Sequence, residues 1–249
     1  MSAVHALRNK ARGLLLAFVY ASVAGASTPD GEQNSAATSL RWEEGQPGCT
    51  FSRDDDGKYR YGFWTADFGV VLAVDSQELE KVRGREQPIF ALQLTVHYRG
   101  KNSLDVIPDK ISLEFVKHYH DVHGALDPDD LAIKLKSDAD SLEAETEREI
   151  RKHPEQKEEK EAALHAHQKD AAQMIEFLHD LTLPPVKLDS GHMEASGWVL
   201  FSTKSKWIED LQKQEEFVLR VPVVDRVVEF RFSLPPSEGD LILRRRPEN

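Results

Sequence analysis

Three histidines fall within six residues in the run His118-Tyr119-His120-Asp121-Val122-His123. If a strand beginning near Ile111 continues through them, Ser112, Glu114, Val116, His118 and His120 share its solvent face, because side chains alternate along a strand. Two imidazoles then converge on one point, and His123 or Asp121 supplies a third ligand. That donor set suits zinc, either as a bound ion or as the centre of a metal-dependent hydrolase. The same residues also read as a polar strand end leading into a helix start.

The remaining reactive side chains are weaker in pattern. His165 and His167, two apart on a helix, point to different faces and read as surface residues. Asp189-Ser190-Gly191-His192 holds the residue types of a nucleophilic triad, but neighbours in sequence seldom converge as one, and the run reads as a loop before a strand. There is no Gly-x-Ser-x-Gly elbow and no glycine-rich phosphate loop, so no catalytic residue is assigned. Asp54-Asp55-Asp56-Gly57 resembles the start of a calcium loop, but Phe63 stands where the closing glutamate belongs, and a hairpin turn fits better. Cys49 is the one cysteine and has no internal disulfide partner; it reads as a small buried hydrophobe, or else as an intermolecular disulfide or a reactive thiol. Trp198, Phe201 and Trp207 form either an apolar ligand surface or part of the core.

The elements that must carry these residues are mainly strands. Phe90, Leu92, Leu94, Val96 and Tyr98 alternate with Ala91, Gln93, Thr95 and His97, the pattern of a sheet with one wet face. Similar alternation marks Cys49 to Arg53, Lys58 to Thr65, Phe68 to Val74, Ile111 to Phe115, Gly197 to Thr203, Glu215 to Val221 and Arg226 to Leu234. Around eight short strands without strand-helix alternation predict an antiparallel β-sandwich over 46–249. Short helices are predicted at Ser76 to Arg83 and Lys206 to Gln212.

One long segment interrupts the strands. Residues 127–181 contain sixteen acidic and eight basic side chains and no glycine. Ala, Leu, Glu, Lys and Gln dominate there, which predicts helix. Asp127-Pro128 is a start signal, and His153-Pro154 breaks the pattern near its middle. An antiparallel, coiled-coil-like helical hairpin returns the chain to the sheet. With the turn centred on His153, facing residue numbers sum to about 306, pairing Leu131 with Ile175, Leu135 with Ala171 and Leu142 with Leu164.

The first 26 residues read as a secretory signal peptide: basic Arg8, Lys10 and Arg12, an apolar run from Leu14 to Ala21, and the cleavage site Ala24-Gly25-Ala26. Residues 27–45 read as a flexible leader. Removing the three basic residues takes the formal charge from -11 to -14. Such an acidic chain disfavours nucleic acid and anionic lipid as partners, and no stable membrane span is expected after cleavage.

The runs Phe90-Ala91-Leu92-Gln93-Leu94-Thr95-Val96, Gly197-Trp198-Val199-Leu200-Phe201 and Glu216-Phe217-Val218-Leu219-Arg220-Val221 resemble exported bacterial immunoglobulin-like β-sandwich proteins of an uncharacterised, antigen-like kind. The resemblance implies a secreted or surface binding module without a catalytic site. Two functions follow as expectations. One is a periplasmic, envelope-associated or secreted interaction module whose hairpin presents a charged surface to a protein partner. The other is a zinc-binding protein or metal-dependent hydrolase built on His118, His120 and His123.

Overall fold

The computed structural model describes residues 38–235, apart from 86, 205, 206 and 208–212. The expected signal peptide, the leader up to residue 37 and the body of the expected helix around Lys206 to Gln212, Trp207 excepted, lie outside the described residues.

In chain order the strands are β1 (Thr38–Arg41), β2 (Cys49–Arg53), β3 (Lys58–Trp64), β4 (Phe68–Asp75), β5 (Ile89–Tyr98), β6 (Leu104–Val106), β7 (Ser112–Phe115), β8 (Asp121–Gly124), β9 (Val186–Leu188), β10 (Glu194–Ser202), β11 (Glu215–Val223) and β12 (Arg226–Leu234). The helices are α1 (Glu78–Gly84), α2 (Pro128–Lys152) and α3 (Lys157–Leu181). The fold therefore mixes helix with several sheets. One five-stranded sheet runs β1-β12-β11-β7-β8, a second runs β10-β5-β4-β3-β2, and β6 pairs with β9. Every ladder is antiparallel except β1 on β12, which is parallel.

Period-two alternation builds the core. Phe90, Leu92 and Leu94 of β5 are fully buried, as are Leu219 of β11 and Val228 and Phe230 of β12. The two sheets meet through aromatic rings: Phe90 stacks on Phe217 at 4.9 Å, and Tyr61 lies tilted against Phe232 at 6.3 Å. Each such side chain contributes roughly 1.5–3 kcal/mol on burial, which makes this shared interior the main source of stability.

Part of the expected leader is ordered structure. Leu40 of β1 packs against the core, and Trp42 is 8% exposed, its ring 5.0 Å from Tyr61. The Trp42 indole N–H donates to the Thr50 carbonyl at 3.1 Å. A four-residue strand whose partner lies 188 positions later carries too little periodicity to be legible alone.

Helix α2 starts as its sequence dictates, with the Asp127 side chain accepting from the Asp129 and Asp130 backbone N–H groups at 2.8 and 3.2 Å. Proline excludes helical geometry at His153, and a short 3-10 turn, Pro154–Gln156, separates α2 from α3. That turn moves the centre of the pairing. Glu149 pairs with Lys160 at 3.6 Å and Gln168 donates to Glu143 at 3.2 Å, so facing numbers sum to 309 and 311 rather than 306.

Both ends of the helical segment are tied to the edge strand β10. Leu126 N–H donates to the Leu200 carbonyl at 2.8 Å, and Leu183 N–H donates to the Trp198 carbonyl at 2.9 Å. The second leg lies so close that a Cβ at Gly197 would sit 2.4 Å from the Leu183 nitrogen. Beneath the legs a second cluster forms from Ile89, Ala91, Leu131, Leu178 and Leu200, with Phe177 and Trp198 against it. Ala91, expected on the wet face of β5, is buried there because the helices cover that end of the sheet.

Candidate functional site

The strand carrying the histidines does not continue as the sequence implied. It ends at Phe115, because β7 turns back to pair with β8, with Phe115 opposite Asp121. The connecting turn is closed by His118 N–H to the Phe115 carbonyl and Asp121 N–H to the His118 carbonyl. Tyr119 and His120 adopt φ of 60° and 56°, the left-handed region that side chains other than glycine seldom occupy. Tyr119 is fully exposed at the tip.

The turn sends the three imidazoles to three different carboxylates. His118 Nε2 meets Glu215 at 3.1 Å, the His120 ring meets Glu114, and His123 Nε2 meets Asp121 at 3.4 Å. His118 stacks on Trp207 at 4.7 Å and 11°, while His123 meets the same indole edge-on at 5.6 Å. So His118 and His123 share one aromatic cluster with Phe115, and His120 lies apart on Glu114. Among the described residues no group of three or more His, Cys, Asp or Glu is spaced to hold a metal ion.

Glu114 also joins a charged row that sequence reasoning missed. It accepts from Arg220, whose Nε donates to Glu229 at 3.2 Å, and Glu229 pairs with Arg41 at 3.3 Å. The row crosses β7, β11, β12 and β1 on the outer face of the first sheet. Burial pushes the Glu114 carboxyl up, but the hydrogen bonds from His120 and Arg220 outweigh it and hold the group below the usual glutamate range. Each strand shows a charged residue on its outer face, Arg41, Glu114, Arg220 and Glu229, but the pairing that joins them was not legible.

The other expected residues separate. Asp189 accepts from the Gly191 and His192 backbone N–H groups at 2.7 and 3.1 Å, so its carboxylate closes a turn instead of orienting an imidazole. Asp56 is held down to about 2 by the Arg60 guanidinium and the Lys58 N–H, which accounts for the acidic turn without calcium. Phe201 is buried in the main core, Trp198 sits under the helices with Phe177 at 6.1 Å, and Trp207 belongs to the histidine cluster; the three do not form one surface. Cys49 is half-buried against the core.

The largest feature outside the main core is the helical segment. Each of α2 and α3 has 25 residues, roughly 37 Å at 1.5 Å per residue. The buried side chains are Leu131 in α2 and Ala171 and Leu178 in α3, all in the half of the segment nearer the sheet. Beyond them the seam is half-buried, and the faces carry ion pairs such as Arg151–Glu147, Lys152–Glu149 and Lys157–Glu161. No helix among the described residues is long and apolar enough to cross a membrane.

No protein-family model matches this chain, and neither a curated protein nor a solved structure matches it.

Proposed function

We propose that this chain is a non-enzymatic, extracytoplasmic interaction module: an immunoglobulin-like β-sandwich carrying α2 and α3 as an antiparallel hairpin that presents a charged surface to a protein partner. One observation carries the reading. Two helices of 25 residues each bury only Leu131, Ala171 and Leu178 between them. An element of that length gives its own domain little packing in return for the conformational entropy of ordering it, and long projecting elements on rigid scaffolds commonly serve recognition. The signal-like N-terminal sequence and the resemblance to exported binding modules support the compartment. The competing metal reading requires His118, His120 and His123 to leave three separate carboxylates and converge.

The test compares the full chain with a variant in which residues 138–169 are replaced by a short Gly-Ser link. Chemical crosslinking in native envelope and medium fractions is expected to capture a protein partner with the full chain and not with the variant. Capture of the same partner by both, or of none by either, overturns the reading.

A further inference from the structure

We propose that Trp64 is the platform of a saccharide-binding site on the outer face of the second sheet, which takes the flat face of a pyranose ring. The site lies on β3, β4, β5 and β10 and does not rest on the helices. Trp64, Gly69, His97 and Glu194 are successive partners across those four strands, and Gly62 precedes Trp64 by two residues on the same face. A Cβ at Gly69 would come within 2.3 Å of two indole carbons, and a Cβ at Gly62 within 2.7 Å of the indole nitrogen. Two glycines inside neighbouring strands thus form a bed on which the ring lies along the sheet. The indole nitrogen lies 3.3 Å from Thr50 Oγ1, which fixes the ring's direction, and His97 extends the surface at 5.0 Å.

The rim is polar and of mixed character. Thr95 and Ser196 hydroxyls lie 2.9 Å apart, and His97 Nδ1 meets Glu194 at 3.2 Å. The exposed Arg99 guanidinium sits over the indole, 5.6 Å from its centre, and pairs with no carboxylate among the described residues. A plate one ring wide, bordered by donors and acceptors, fits a ligand with an apolar face and a hydroxylated edge. A pyranose offers this, its axial C–H groups meeting the electron-rich ring face. Nucleobases stack on the same kind of surface, but a rim of paired Thr95 and Ser196 hydroxyls with one cation beside it suits a hydroxylated ring better than a row of phosphates. The unpaired Arg99 favours a sugar bearing a carboxylate, such as a uronate.

The full chain labelled with 5-fluorotryptophan gives one fluorine resonance for each of four tryptophans. Trp64→Phe identifies that of Trp64, and the other three report whether the variant folds. Titration with cellohexaose, hexagalacturonate and a single-stranded hexanucleotide follows. Saturable movement of the Trp64 resonance with either sugar is expected, the uronate binding more tightly. Arg99→Ala is expected to weaken the uronate about five- to tenfold and leave the neutral sugar unchanged. No movement with either sugar at millimolar concentration, or movement with the oligonucleotide alone, means that the indole only shields its glycines, and the proposal fails.

Discussion

A methyl group at position 197 has no room, since it would lie 2.4–2.5 Å from backbone atoms of Thr182 and Leu183. Backbone cannot yield as a side chain does, so Gly197→Ala is expected to cost roughly 1–3 kcal/mol in urea unfolding, the range for overpacking. Gly124→Ala, where nothing lies within 4 Å, is the matched control and is expected to be near neutral. Equal effects mean that the second leg is not seated on β10. Glu78 is the other residue whose environment decides an outcome. Its carboxylate is 1% exposed and accepts from the Ala91 N–H at 2.7 Å and from Arg85 at 2.8 Å. Burial raises its pKa above 4.5 despite those bonds. The folded state therefore holds the proton more tightly than the unfolded chain, so Glu78's contribution to stability is greatest below that value and falls as pH rises through the folded pKa. Glu78→Gln is expected to flatten that part of the stability-pH curve, and an unchanged slope locates the titration elsewhere. Neither residue was legible as special. An acidic residue in the first turn of a helix normally faces water, and only the tertiary fold brings Ala91 to Glu78.

Elements with a repeated local signal were legible in the sequence, and those defined by distant partners were not. Strands β5 and β12 alternate over nine residues or more, and α2 carries its own start signal, so each declares itself. Strand β1 and the turn after Phe115 depend on partners elsewhere, and so the histidine geometry built on that turn was misread. The register of α2 on α3 failed for a smaller reason: the proline break was visible, but the 3-10 turn that follows it was not, and it shifts the facing sum by about three. The shift is testable. In a Cys49→Ser background, cysteines at Leu142 and His167, whose numbers sum to 309, are expected to form a disulfide faster than cysteines at Leu142 and Leu164, which sum to 306. Bridging requires Cα atoms within about 7 Å, a limit that a one-turn offset along the helix approaches or exceeds. Faster closure of the 142–164 pair restores the sum of 306, and bridging only between molecules means that the helices pair between chains.

At the scale of the whole molecule, apolar burial is distributed unevenly. The main cluster joins both five-stranded sheets, while among the described residues α2 and α3 bury apolar side chains against the sheets in the cluster around Leu131, Leu178 and Ala91. Stability follows contact density, so the sheets and the outer parts of α2 and α3 are expected to open as separate units. In native-state hydrogen exchange, amides of residues 140–165 are expected to exchange through local opening, well before those of β5 and β11. Replacing 138–169 by a short link keeps Leu131, Leu135, Ala171, Met174 and Leu178 in place. For a chain of this size 1 kcal/mol moves the unfolding midpoint by about 2–4 °C, and the deletion is expected to stay within that shift. A much larger drop, together with exchange in the helices as slow as in the sheets, makes them one cooperative unit. The helices are then a structural brace for β10, and a partner surface must be sought on the sheets instead.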